Sequence, residues 1–231
     1  NRSRWPKAEH TGEQHHSPTL TTADPQFDGM DGPVTITSKD REEVQRYRIC
    51  LLISGISLSA GLLQWWQVGG QWAWPWLLPL GLSLGLALQW IHIYLRPLHR
   101  ALQLFWLIGC LGWLVLMLQA SANEALDTLA SQPLWLMAVG PMFAALTGIG
   151  FKEFFCFRRP EAIGLTLLLP IALLGRLLGL IGKGPCWMLV LVAGLLLIVL
   201  AIRKFGMEAA ADVGDKSVFA YLDAQREVAG P

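Results

Sequence analysis

Residues 49–95 contain no lysine, arginine, aspartate or glutamate, and further uncharged runs occupy 101–123, 128–151 and 184–202. A hydrocarbon core of about 30 Å is crossed by about 20 consecutive apolar residues in a helix, so runs of this length count as membrane spans. Charged residues make up only 15% of the chain against 53% hydrophobic, with mean hydropathy +0.43, whereas soluble domains carry roughly a quarter charged residues. A soluble globule, a secreted disulfide-stapled mini-protein and a wholly disordered chain are excluded. The net charge of +1 averages charged tails with a nearly uncharged body and gives no reason to expect nucleic acid as a partner.

The spans expected from these runs lie at about 49–68, 73–95, 101–120, 133–151, 162–182 and 185–202, which makes an all-α bundle of six transmembrane helices over residues 39–204. Residues 1–38 carry Pro6, Pro18, Pro25 and Pro33 and no periodic apolar pattern, so a disordered tail is expected. It lacks the apolar core of a secretory signal, and its acidic residues speak against a transit peptide. Thr37-Ser38-Lys39-Asp40 fits a capping box, which places a helix start near Ser38 that runs through a charged segment into the first span. Residues 205–231 form a second soluble tail, with a short helix expected over 215–228.

Lysine and arginine set the orientation. Lys39, Arg41, Arg46, Arg48, Arg96, Arg100, Lys152, Arg158, Arg159, Arg203 and Lys204 fall on one side of the expected spans, and Lys183 with the nearby Arg176 on the other. Both termini are therefore expected to be cytoplasmic or stromal. Trp65, Trp66, Trp72, Trp74, Trp76, Trp135 and Trp187 fall at the opposite, non-cytoplasmic ends, where amphipathic indoles favour the headgroup level.

Small and polar residues at helical spacing mark helix interfaces in a membrane. They include Ser54, Ser57, Gly61 and Gln64 in the first span, Gly81, Gly85 and Gln89 in the second, and Gly140, Ala144, Thr147 and Gly148 in the fourth. Gly175 and Gly179 repeat the small-x-x-x-small spacing in the fifth. Pro79, Pro141 and Pro170 remove backbone hydrogen bonds inside spans and predict kinks. Arg176 is the one intramembrane charge; it either snorkels or bonds to another helix, or it meets a substrate or ion.

Two groups of residues are candidate contact sites. Antiparallel pairing of the second and third spans about Pro97 puts His92 level with Gln103, with Arg96, His99 and Arg100 at the mouth of that turn. Such a basic polar cluster suits an anion or headgroup, and His92 a metal or tetrapyrrole, although a buried His92 bonded to Gln103 beneath an ordinary positive-inside loop is the reading to prefer. No zinc spacing, no paired intramembrane histidines and no CxxC occur, so no metal and no cofactor are expected. Cys186 alone among the four cysteines reaches the outer side, so the thiols are expected to stay free. HExxH, GxSxG, a P-loop and GxGxxG are all missing, and the chain is expected not to be an enzyme.

The second group lies between the fourth and fifth spans, where residues 151–161 read Phe-Lys-Glu-Phe-Phe-Cys-Phe-Arg-Arg-Pro-Glu. Its phenylalanines suit the membrane interface, and Lys152, Glu153, Cys156, Arg158 and Arg159 are candidate lipid or partner contacts. With this stretch, the charged segment from Arg41 to Arg48 and the six-span plan, residues 39–204 resemble a family of uncharacterised multi-pass integral membrane proteins of cyanobacteria with relatives in plastids. The resemblance implies a plasma or thylakoid membrane location in a photosynthetic organism, and it implies no reaction. The expected function is support for assembly or organisation of a larger membrane complex in the bilayer; the alternative is a small-solute or ion transporter or channel.

Overall fold

A computed structural model of the chain describes residues 26–29, 32–35, 37–91 and 96–213. Within the tail expected to be disordered, two short strands pair antiparallel, β1 (Gln26–Gly29) and β2 (Gly32–Thr35), with Phe27 opposite Val34. Residues 1–25 and the helix expected at 215–228 lie outside the described residues.

The remaining regular structure among the described residues is helical. Helix α1 (Ser38–Val68) begins where the capping box predicts. The Asp40 backbone N–H donates to the Thr37 hydroxyl at 3.3 Å, and the Thr37 N–H donates to the Asp40 carboxylate at 2.9 Å. Its 31 residues extend about 46 Å at 1.5 Å each, so its charged first turns project beyond a 30 Å core. Gly69 ends it with φ of 95°, a backbone that glycine adopts without steric cost.

The expected second span is broken, which corrects the count of six long helices. After the short α2 (Gly70–Ala73), Trp74-Pro75-Trp76 forms a 3-10 turn, and α3 (Leu77–Trp90) is only 14 residues long. Pro75 has no N–H for a regular helical bond, so the ladder restarts after it. Pro79 then falls in the first turn of α3, where a missing N–H costs little. Among the described residues, five helices are long and apolar enough to cross a membrane. They are α1, α4 (Arg96–Ala120), α6 (Leu136–Phe157, preceded by a 3-10 turn at Pro133–Trp135), α7 (Pro160–Leu177) and α8 (Lys183–Phe205). A surface helix α5 (Ala125–Ser131) fills the α4–α6 connection, and α9 (Ala209–Val213) follows α8.

The helices pack as a closed circuit. Helix α1 lies against α3 and α8, α8 against α7, α7 against α6, and α6 against α4, while a lighter contact between α3 and α4 completes it. Glycine allows the tightest approach, because a Cβ at Gly109 or Gly112 of α4 would overlap the α6 backbone at Met142 and Ala138. Inside, the Ser54 and Ser83 hydroxyls pair at 2.7 Å, and the Trp106 indole donates to the Gly81 carbonyl at 2.8 Å. Outside, α4 presents Leu104, Leu107, Leu111, Leu114 and Leu118, the last 77% exposed. Such a surface would be an aggregation hazard in water and is the ordinary outer face of a helix in lipid.

Candidate functional site

The bundle has two chemically different ends. At the end where α1 starts and α6 and α8 finish, charges are buried. Glu153 is fully buried; its carboxylate accepts from the Tyr47 hydroxyl at 2.7 Å, Lys152 Nζ at 3.2 Å and Lys204 Nζ at 2.6 Å. Lys204 also pairs with Asp212 of α9, and Arg48 Nε donates to the same carboxylate at 2.8 Å. The Arg48 guanidinium continues to the backbone carbonyls of Met207, at 2.9 Å, and Glu208, at 3.2 Å. Phe157 closes the group, its ring 4.4 Å from Lys204 Nζ and 5.2 Å from Lys152 Nζ, within cation–π range. Four helices, α1, α6, α8 and α9, are thus joined through two carboxylates and three cations. Val213 of α9 packs on Val44 of α1 beside them.

The other end is rich in tryptophan, and its indole N–H groups bind across elements. Trp65 donates to Asp127 of α5 at 2.9 Å, Trp74 to Asn123 at 3.0 Å, Trp76 to Gln64 at 2.6 Å and Trp187 to the Leu62 carbonyl at 3.2 Å. Trp66 and Trp187 pack with ring centroids 4.9 Å apart. Beneath this layer lies a central cavity of about 430 Å³ with wall residues from every helix from α1 to α8. Exposed Trp66, Asp127, Lys183 and Gly184 mark its mouth, and buried Leu58, Leu80, Phe143 and Val190 line its depth. Its size falls in the usual range for small-molecule sites, which are mostly apolar with a few polar groups. Arg176 supplies one such group. It is half-buried in the wall, and its Nη2 donates to the Ala130 carbonyl of α5 at 2.8 Å. Trp113 also borders the cavity, but its indole nitrogen is shut away from it and has no hydrogen-bond partner among the described residues. Between the cavity and the ionic cluster the interior is filled by Leu51, Leu84, Leu88, Leu146, Leu197 and Leu200.

The structure divides the residues of the Phe-rich stretch. Helix α6 runs on to Phe157, so the expected connecting loop is largely the last turns of a span. Lys152 and Glu153 therefore turn inward to the ionic cluster and do not present a lipid or partner contact. Their inward direction follows from α6 packing on α7, with its last turn over Tyr47 and Lys204. Cys156 and Arg158 are exposed, with Arg158 ending the helix in the left-handed region at φ 50°. Arg159 is half-buried against the Met207 sulfur at 3.0 Å.

In the other expected cluster, His92 lies outside the described residues. Gln103 meets His99 one turn away at 3.3 Å, and His99 Nε2 lies 2.5 Å from the Leu88 carbonyl, linking α4 to α3. Arg96 and Arg100 are exposed beside them. Tyr47 and Asp212 had no signal of their own in the sequence. Glu153 offered one, as an acid among basic residues at a helix end that the positive-inside rule otherwise fills with cations.

The profile of a family described as uncharacterized integral membrane proteins, DUF2301, matches residues 86–221. The chain belongs to that family. The matched segment holds α4 to α9 and with them Arg176, Trp113, Lys152, Glu153, Lys204 and Asp212. Tyr47 and Arg48, the α1 side of the ionic cluster, precede it. The comparisons with curated proteins and with solved structures give no match.

Proposed function

We propose that this member of the family is a non-enzymatic, solute-binding membrane protein of the transporter class. The observation that carries this reading is the central cavity, open at the tryptophan end and shut toward the opposite end by six leucines and a buried ionic cluster. In this proposal α2, the 3-10 turn and α3 together cross the bilayer as a sixth span. Both termini lie on the cytoplasmic or stromal side, and the cavity faces away from it. The lysine and arginine distribution supports that orientation. Access to Cys186, half-buried in the cavity wall, provides the test. With the other cysteines replaced by serine, a membrane-impermeant maleimide should label Cys186 from one side only, and a solute that occupies the cavity should slow labelling. Protection by no member of a panel of organic anions, cations and neutral solutes, together with no flux in liposomes, would overturn the proposal.

A second reading, support for assembly of a larger membrane complex, is favoured by one surface. Phe151 and Phe155 stack at 6.2 Å on the outside of α6, beside exposed Cys156 and Arg158. The family resemblance adds a plasma or thylakoid membrane of a photosynthetic organism as the place. Pulldown in mild detergent separates the two readings: a stoichiometric partner lost on Phe155→Ser would favour assembly.

A further inference from the structure

A second cavity adjoins the first. It is a groove of about 330 Å³ formed by α4, α6 and α7, lined by Phe105, Gly140, Pro141, Ala144 and Pro170 among others. Met137, Leu174 and Phe105, all exposed, stand at its outer edge, so the groove opens on the face that a bilayer would cover. A Cβ at Gly140 would meet nothing within 4 Å, so the space there is real and unfilled. Leu136, Phe143 and Leu173 line both the groove and the central cavity. One space is apolar and faces lipid; the other holds cations. Arg176 and Lys183 against Asp127 leave a single positive charge around the central cavity. The bond from Arg176 to Ala130 uses one N–H, and a guanidinium carries five. Among the described residues no other hydrogen bond from Arg176 is formed.

Resting on the solute-binding reading above, we propose that the two cavities form one site for a single-chain anionic amphiphile of the fatty-acid class. Its carboxylate sits at Arg176, and its chain passes Leu136, Phe143 and Leu173 into the Pro141/Pro170 groove. A monoanion matches the single net charge of the cavity, and one adjoining groove accommodates one chain. The amphiphile reaches the site sideways from the bilayer between α6 and α7, and the outer mouth serves its charged end.

The test uses the full chain in a neutral detergent, with stearate, stearyl alcohol and the short soluble carboxylate 4-bromobenzoate as probes. Native mass spectrometry should show one stearate per protein, with stearyl alcohol bound far more weakly. Arg176→Gln should weaken stearate about tenfold, the size of a lost charge-assisted hydrogen bond. Gly140→Leu and Ala144→Leu, which fill the groove without touching Arg176, should weaken it as well, and each variant is accepted only with a wild-type elution profile. Stearate binding equal to that of the alcohol, or unchanged in all three variants, would overturn the proposal. Should 4-bromobenzoate quench the cavity tryptophans and protect Cys186 while stearate does not bind, the amphiphile fails and solute binding stands. If none of the probes binds and the wider solute panel gives no protection, both fail.

Discussion

Glu153 shows what a buried charge demands at the level of one residue. It is shared by Lys152, Lys204 and Tyr47, and Lys204 also holds Asp212, so removing Glu153 takes a carboxylate from two buried lysines at once. Breaking one side of a buried pair costs about 3–5 kcal/mol, whereas replacing a whole pair by apolar groups is often close to neutral. Glu153→Gln should therefore lower thermal stability in detergent strongly. Lys204→Met added to it should restore part of the loss. Strictly additive destabilisation in this double-mutant cycle would show that the pair is not coupled. From the sequence Lys204 read as a topology signal and Lys152 as that and as a candidate lipid or partner contact, because the positive-inside pattern counts charges near span ends and does not see whether they face inward.

For the helices themselves, the decisive contacts are made by glycine. The α4–α6 interface depends on Gly109 and Gly112, where an added Cβ would strike backbone, which cannot swing aside as a side chain does. By contrast, a Cβ at Gly81 would find only the Cys110 sulfur at 3.8 Å, an ordinary contact. Gly109→Ala and Gly112→Ala are expected to cost at least the ~1–3 kcal/mol of core overpacking, and Gly81→Ala well under 1 kcal/mol. Melting of the three variants ranks them, and a Gly81 variant as unstable as the other two would refute the assignment of the interface. The Gly81/Gly85 spacing was conspicuous in the sequence and Gly109/Gly112 was not, since spacing alone does not say which face of a helix meets a neighbour. Gly85 does approach the Trp106 ring, so half of that motif packs as its spacing suggests.

Across the whole molecule, the two ends differ in chemistry enough for orientation to be tested with native thiols. Cys156 is exposed at the basic end, and Cys186 lines the cavity at the tryptophan end. In intact right-side-out vesicles, an impermeant thiol reagent is expected to modify Cys186 and to reach Cys156 only after permeabilisation. Modification of both before permeabilisation would refute the proposed topology, with an even number of crossings between α1 and the end of α8. The broken α3 matters here. With only five long spans and no sixth crossing, the chain ends would lie on opposite sides.

Uncharged runs of about 20 residues dictated membrane helices and their approximate places, because lipid offers backbone groups no partners and the count of apolar residues is a local property. The capping box at Thr37 was legible for the same reason, with its partners three residues apart. The Pro75 interruption was open to view but was absorbed into an apolar run, since hydropathy does not register a missing N–H. The ionic cluster joins Arg48 to Asp212 and Tyr47 to Glu153, residues far apart in the chain, and the central cavity takes its wall from eight helices. Only tertiary packing decides such features, because burial and pairing depend on which faces meet. The same packing turned Lys152 and Glu153 inward while leaving Cys156 and Arg158 outside on the same short stretch.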